Sequence, residues 1–457
     1  MTRCATMRPS GRVMLAALAL SAALLVLAGA ARAEQAETIA DASLAPLNAY
    51  VEEALANSPN LKASEAAWKA AAQRAPQVSA PPDPRFTYGY YIQPAETRTG
   101  PQRMRYAISQ TIPWFGRLSN MEKQAVLEAD AALARLESQR LLTAAQVRDA
   151  YYEYAYVAQA VRLTRENVLL LGYLERVAED RYRAGLSPYA ELVRLQLESG
   201  RLEDTLRSLK DLERPVRARL NTAMNRAPDS PLPEPETIPV MVLEHDEAEL
   251  LAGLAECNPE LRALSSLTEA AQTGMDQAKL GYFPDITLGL EMIQQDRARA
   301  GDPVNNGKYP TVATVGINLP IWFGARNAAV EEADHKRQSS REQWFATHNR
   351  LQAAMELALY RYRDAGRKID LYQESLLPKA EQGLGATLTA YTAGQGSALD
   401  LVDAQRTLLE FQLSALRALA DQGQRMAEME TLLGREIPCR VHGVRLEMNG
   451  AAQTPTQ

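Results

Sequence analysis

The chain has 457 residues, 46% of them hydrophobic, with 50 Lys plus Arg against 56 Asp plus Glu, 25 Gly, 25 Pro and 3 Cys. That composition excludes a disulfide scaffold, a collagen-like chain and a low-complexity polymer. Its acidic balance argues against nucleic acid as a partner, because such binding neutralises phosphates with a basic surface.

At the N-terminus Arg3, Arg8 and Arg12 precede an apolar run over residues 13–27, and Ala31-Arg32-Ala33 has the small-x-small pattern that precedes a signal peptidase cut. Residues 1–33 are expected to be a cleaved signal peptide, since the run is too short to span a bilayer. Leu27-Ala28-Gly29 is followed by Ala30 where a lipid-bearing cysteine would stand, so no acyl anchor is expected. A short segment, 34–46, leads into a helix over 47–77.

Two segments of period two follow. Phe86, Tyr88 and Tyr90 alternate within 85–92, and Met104, Tyr106, Ile108 and Ile112 alternate within 104–112 against small or polar neighbours. They read as a hairpin of strands about nine residues long, the length that a tilted membrane strand needs. Pro113-Trp114-Phe115-Gly116 closes the second strand. Proline ends the ladder, glycine permits a bend, and the aromatics suit either a membrane interface or ordinary packing at the junction.

Residues 114–187 contain no proline, which predicts a helix over 119–183, roughly 100 Å long at about 1.5 Å per residue. It ends at Arg183-Ala184-Gly185-Leu186-Ser187-Pro188, where glycine can close one helix and Ser187 can cap the next with Pro188 in its first position. The return helix, 188–225, carries Leu195, Leu202, Leu209 and Val216 at intervals of seven beside Leu192, Leu206 and Leu220. That is a coiled-coil seam, with an ordinary helical bundle as the alternative. Residues 228–245, rich in proline, read as a linker.

The design then repeats. Trp114-Phe115-Gly116 returns 208 residues later as Trp322-Phe323-Gly324, Tyr152 and Tyr154 as Tyr360 and Tyr362, and Glu191-Leu192-Val193 as Asp400-Leu401-Val402 at an offset of 209. The second copy runs through a helix over 246–279, strands over 285–293 and 311–319, the junction Pro320-Ile321-Trp322-Phe323-Gly324, one helix over 326–392, a turn at Thr392-Ala393-Gly394-Gln395-Gly396-Ser397, and a helix over 398–434. The repeats are thus 47–227 and 246–438, with a tail over 439–457. In each half the short and return helices together match the long one in length, so each half can build one continuous and one spliced rod.

The fold class is mainly α with a small β part, a duplicated β-β-α-α unit. Four strands cannot close a barrel, and an open edge in lipid leaves amides unpaired. The chain is therefore expected to oligomerise, giving eight strands as a dimer or twelve as a trimer.

From about Leu47 to Pro438, the duplicated order, the two aromatic-glycine junctions and the two glycine-containing turns closely resemble the TolC-like outer membrane factor family. The resemblance implies a homotrimer whose twelve strands form a pore in outer membrane lipid and whose helices form a periplasmic α-barrel. It implies a passive exit duct, not an enzyme, with no cofactor, joined through a periplasmic adaptor (a membrane fusion protein) to an inner membrane transporter of the resistance-nodulation-division type. Gly185, Leu186, Ser187, Pro188, Gly394 and Ser397 match the tips where the adaptor docks. Asp400 and Asp403 match the acidic positions of the closed periplasmic entrance, Tyr391 a gate-side tyrosine, and Glu191 is the first-half counterpart of Asp400. Relatives that lock the gate with an arginine would place it at Gly396, so closure here must differ. Arg194, where the first half lacks its second acid, is a candidate partner for Asp403 on a neighbouring helix. Ala95-Glu96-Thr97-Arg98-Thr99-Gly100-Pro101-Gln102, with the Pro113-Trp114-Phe115-Gly116 junction, looks like heavy-metal efflux members; a type I protein secretion or multidrug duct is the alternative.

Catalysis and resident metal are poorly served. His335 and His348 lie 13 apart on roughly opposite helical faces, His245 and His442 have no ligand-spaced companions, and no phosphate loop or nucleophile-base pattern occurs. Cys257 and Cys439 read as free thiols, although export makes a disulfide chemically possible. A periplasmic adaptor or a coiled-coil scaffold without a pore is the rival of another class, and it has no use for four alternating strands.

Overall fold

The computed structural model describes residues 44–244 and 246–444. The expected signal peptide and the missing acyl site fall outside that range, as does most of the tail. The chain divides into two compact units, and they are not the two sequence halves. Among the described residues, a helical unit takes in 44–59, 140–254 and 352–444; a sheet unit takes in Asn60–Gln139 and Ala255–Leu351.

The expected first helix is three pieces: α1 (44–57), α2 (Pro59–Ala72) and α3 (Arg74–Ser79). Its second-half counterpart is also broken, into α6 (Glu247–Cys257) and α7 (Pro259–Lys279). At Pro59 and at Pro259 the cause is the same, a proline that restarts a helix. At the second break the Asn258 side chain accepts from the amides of Glu260 at 2.8 Å and Leu261 at 3.1 Å, and Pro259 opens α7, where its missing N–H costs nothing.

The long helix is present without interruption as α4 (Arg117–Arg183), and the return helix as α5 (Tyr189–Ala223). The expected single helix over 326–392 is not continuous. It runs as α8 (Phe323–Asp370), passes through a π-helical turn at Leu371–Leu376, and resumes as α9 (Leu377–Thr392) before α10 (Ala398–Leu433). Pro378 explains the difference: proline crowds the preceding turn and donates no hydrogen bond, and one wider turn relieves both.

In the sheet unit β1 (Arg85–Ala95), β2 (Gln102–Ile112), β4 (Ile286–Gln295) and β5 (Thr311–Ile317) form one antiparallel sheet in the order β1-β2-β4-β5. The strand β3 (Ile238–Leu243) lies within the segment read as a linker, and pairs antiparallel with β6 (Cys439–Val444) at the start of the segment read as a tail. The repeated tyrosines help to anchor that segment. The Tyr362 hydroxyl donates to the Met241 carbonyl at 2.6 Å and accepts from the Leu243 amide at 3.0 Å, while Tyr154 reaches the Leu232 carbonyl at 3.4 Å.

The core of the helical unit includes a four-helix cluster. Leu171 and Leu174 of α4, Leu192, Leu195 and Leu202 of α5, Leu384 and Tyr391 of α9, and Leu401 and Leu408 of α10 are buried together. Leu195 and Leu202 of the heptad row lie in this cluster and Val216 is also buried, while Leu209 of the same row is only partly buried. Cys257 and Cys439 are free thiols, each partly buried.

Candidate functional site: an apolar sheet face and a pair of helix tips

Successive strand side chains point to opposite faces, so register decides which residues share a surface. Phe86 stands opposite Ile108, Ile108 opposite Leu290, and Leu290 opposite Ala313; the next row is Tyr88, Tyr106 and Met292. The other face carries Thr87, Ala107, Glu291 and Val312 in one row and Arg85, Ser109, Gly289 and Thr314 in another. One face is therefore apolar and the other mostly small, polar or charged.

Nothing among the described residues covers the apolar face. Phe86 is 65% exposed, Ile92 90% and Leu290 52%, with Tyr88, Tyr90, Ile108 and Val315 also exposed. In water, leaving a large apolar side chain exposed forfeits roughly 1.5–3 kcal/mol, and a contiguous patch of them marks a surface built for another medium. The sheet is also open: among the described residues β1 and β5 each pair on one side only. In hydrocarbon those edge amides would cost several kcal/mol each.

The two strand-helix junctions differ. In the first, Trp114 packs, its ring stacked on Phe283 with centroids 5.1 Å apart, while Phe115 is exposed. The Trp114 amide donates to Asp285 at 3.0 Å, and Arg117 donates to both oxygens of the same carboxylate at 2.8 Å and to the Leu280 carbonyl at 2.9 Å. Pro113 ends β2 and Gly116 makes the bend with φ +82°. In the second junction Ile321, Trp322 and Phe323 are all exposed after Pro320. Gly324 already lies inside α8 and is not left-handed, so the expected glycine bend is absent there. The Arg117–Asp285 clamp was missed from sequence because its partners are far apart in the chain.

In the helical unit both turns close as expected. Gly185 (φ +69°) and Gly394 (φ +80°) are left-handed, and the amides of Leu186 and Gln395 return to the carbonyls of Arg181 and Ala390 at 2.9 and 2.8 Å. The helices that follow start differently. Ser397 accepts from the Asp400 amide at 3.2 Å and donates to the Asp400 carboxylate at 2.9 Å, a reciprocal cap. Ser187 does not cap: α5 begins after Pro188, which makes no side-chain cap, and the Ser187 hydroxyl is buried without a hydrogen-bond partner among the described residues. Gly185, Leu186 and Pro188 are exposed, as is Gly394.

Tyr391 is fully buried beneath Arg181. The guanidinium lies 4.9 Å from the ring centroid and also donates to the Tyr391 carbonyl. Burial raises the pKa of this phenol and the nearby Glu191 charge raises it further, while Arg181 opposes both. The Tyr391 hydroxyl and one Glu191 carboxylate oxygen are buried without a hydrogen-bond partner among the described residues. Arg181 carried no signal in the sequence, because its repeat counterpart is Ala390.

The acids of α10 stand apart from this cluster. Asp403 is 61% exposed and 4.0 Å from Arg406 of its own helix, and Arg406 bonds Glu198 of α5 at 2.5 Å. Arg194 is exposed and makes no ion pair with Asp403 within the protomer. Among the described residues no group of three or more His, Cys, Asp or Glu side chains is placed to hold a metal ion, and no helix is long and apolar enough to cross a membrane.

A sheet with an uncovered apolar face and open edges, in a chain whose helices reach coiled-coil length, is the pattern of a protein that meets a membrane through β-structure. The family model of the outer membrane efflux proteins matches residues 50–209 and 250–435, and the chain belongs to that family. It is an outer membrane efflux channel of a Gram-negative cell. The cobalt-zinc-cadmium resistance protein CzcC of Cupriavidus metallidurans is 23% identical over 363 residues, which cover 74% of this chain and 78% of that protein. The fold matches the outer membrane protein VceC of Vibrio cholerae with a TM-score of 0.71 at 20% identity, over 86% of this chain and 97% of that one. It matches CusC, whose structures describe transmembrane channel formation, with a TM-score of 0.71 at 16% identity, over 85% of this chain and 92% of that one.

Proposed function

We propose that three copies form a passive exit duct that carries small toxic solutes, heavy-metal cations in particular, out of the cell. The observation that carries the reading is the sheet: an apolar face for lipid, and two bare edges that successive copies would pair, β5 of one on β1 of the next, to close twelve strands. The exposed turns at Gly185, Leu186, Ser187 and Pro188 and at Gly394 and Ser397 are offered as the docking points of a periplasmic adaptor, with an inner membrane transporter of the resistance-nodulation-division type behind it. Leu186, at 71% exposure, gives that surface an apolar contact.

Asp400 and Asp403 of three copies would ring the periplasmic entrance, and carboxylate rings favour cations. The orphaned Tyr391, Glu191 and Ser187 oxygens fit a site that neighbouring copies complete, since an unpaired buried polar group costs about 1–3 kcal/mol. Arg194, exposed and unpaired with Asp403 inside the protomer, is free to reach the acid of an adjacent copy. The metal cargo is supported by the likeness to the cobalt-zinc-cadmium resistance protein. A strain lacking the gene should become sensitive to zinc, cobalt or cadmium, and wild-type chain should restore growth where Asp400→Ala with Asp403→Ala restores it less. Sensitivity confined to dyes, bile salts and antibiotics would make the cargo hydrophobic and overturn the metal reading.

A further inference from the structure

Midway along the polar face of the sheet, two side chains of opposite charge pair across neighbouring strands. Arg105 of β2 donates through Nη2 to Oε2 of Glu291 of β4 at 2.7 Å. In register, Arg105 stands opposite Gly89, and Glu291 opposite Ala107. Toward the helices the same face continues as Ser109, Gly289 and Thr314. On their other flanks Arg105 faces Ile293 and Glu291 faces Val312. Arg105 is half exposed, and its Cβ lies 3.6 Å from where a side chain on Gly89 would begin. The remaining charges of this face lie toward its ends: Arg85 opposite Ser109, and Arg103, which bonds Asp296 at 2.8 Å.

An exposed ion pair of this kind stabilises a fold little. Its larger effect is on the field above the sheet, because a charged ring in a channel selects the sign of the ions that pass. We propose that Glu291 sets the charge of the pore wall: by holding Arg105 along the sheet it cancels three arginines that would otherwise reach into the lumen and repel cations. The inference rests on the reading of this face as a pore wall, and it assigns a second selectivity element, distinct from the acids of α10.

The test is ion selectivity of the purified full-length channel in planar bilayers under a potassium chloride gradient. Glu291→Gln should shift the reversal potential toward the anion side, and Arg105→Gln toward the cation side. The double variant should return close to wild type, and the shifts should grow as salt is lowered because screening weakens. Channels that conduct with the same reversal potential in all four forms would overturn the inference and leave the pore standing. No conductance from the wild-type protein would overturn the pore reading itself. If Glu291→Gln fails to insert, Arg105→Gln alone still decides, since it must free the Glu291 carboxylate to draw cations.

Discussion

The same residue types live under opposite conditions in the two units. In the helical unit Leu171, Leu220 and Tyr152 are sealed from solvent; in the sheet Phe86, Ile92 and Leu290 are open to it. The first pattern is that of a chain folding in water, where burying apolar area is the main driving force. The second is stable only where the surroundings are themselves apolar. On the proposed reading one chain is written for two solvents, and alternation along the strands marks where the solvent changes.

The contrast can be broken first at its buried end. Leu220→Ala removes a fully buried leucine of the α5 seam and should cost about 2–5 kcal/mol. Denaturant or thermal unfolding of the helical unit would show it, and Leu290→Ala on the open face should move the same transition little. A charge reverses the order of sensitivity. Leu290→Arg should oppose membrane insertion by about 2–4 kcal/mol per copy, whereas Thr314→Arg on the other face should insert nearly normally. Membrane fractionation of the two variants would distinguish them.

Smaller effects lie at the helix ends. Ser397→Ala removes the cap of α10 and should cost about 1 kcal/mol, while Ser187→Ala, which removes no cap, should cost less. The smallest expected effect is a dependence on pH. Glu53 accepts from Arg226, and that hydrogen bond holds its pKa below the ordinary 4.5. The pair therefore stabilises the helical unit above that value and loses its contribution as pH falls through the lowered one. With both side chains about a third exposed, Glu53→Gln should flatten this acid limb by about 1 kcal/mol or less.

What could be read from the sequence was local and periodic. The strands followed from Phe86, Tyr88 and Tyr90 or Leu288, Leu290 and Met292, the α5 seam from leucines seven apart, and the turns from Gly185 and Gly394. The breaks at Pro59 and Pro259 were legible too, since Ser58-Pro59 and Asn258-Pro259 are helix-start signals; summing lengths across them hid the prolines. The π-helical turn before Pro378 needed knowledge of how a helix absorbs proline. The β3–β6 pair, the Arg117–Asp285 clamp and the seat of Tyr391 under Arg181 join residues far apart in the chain, and no period or repeat announces such partners. At the tips the sequence pointed to Asp400 as an acid near an entrance, while the structure also gives it a structural task as the partner of Ser397.

The central claim is that lipid covers one face of the sheet and water the other. A spin label placed by Leu290→Cys or by Thr314→Cys, in a chain whose Cys4, Cys257 and Cys439 are replaced by serine, tests it in reconstituted bilayers by collision with oxygen or with a water-soluble nickel chelate. The account predicts that the label at 290 meets oxygen and is shielded from nickel, and that the label at 314 does the reverse. Two labels equally open to nickel would mean that the apolar face does not lie in lipid, and the channel account would fail.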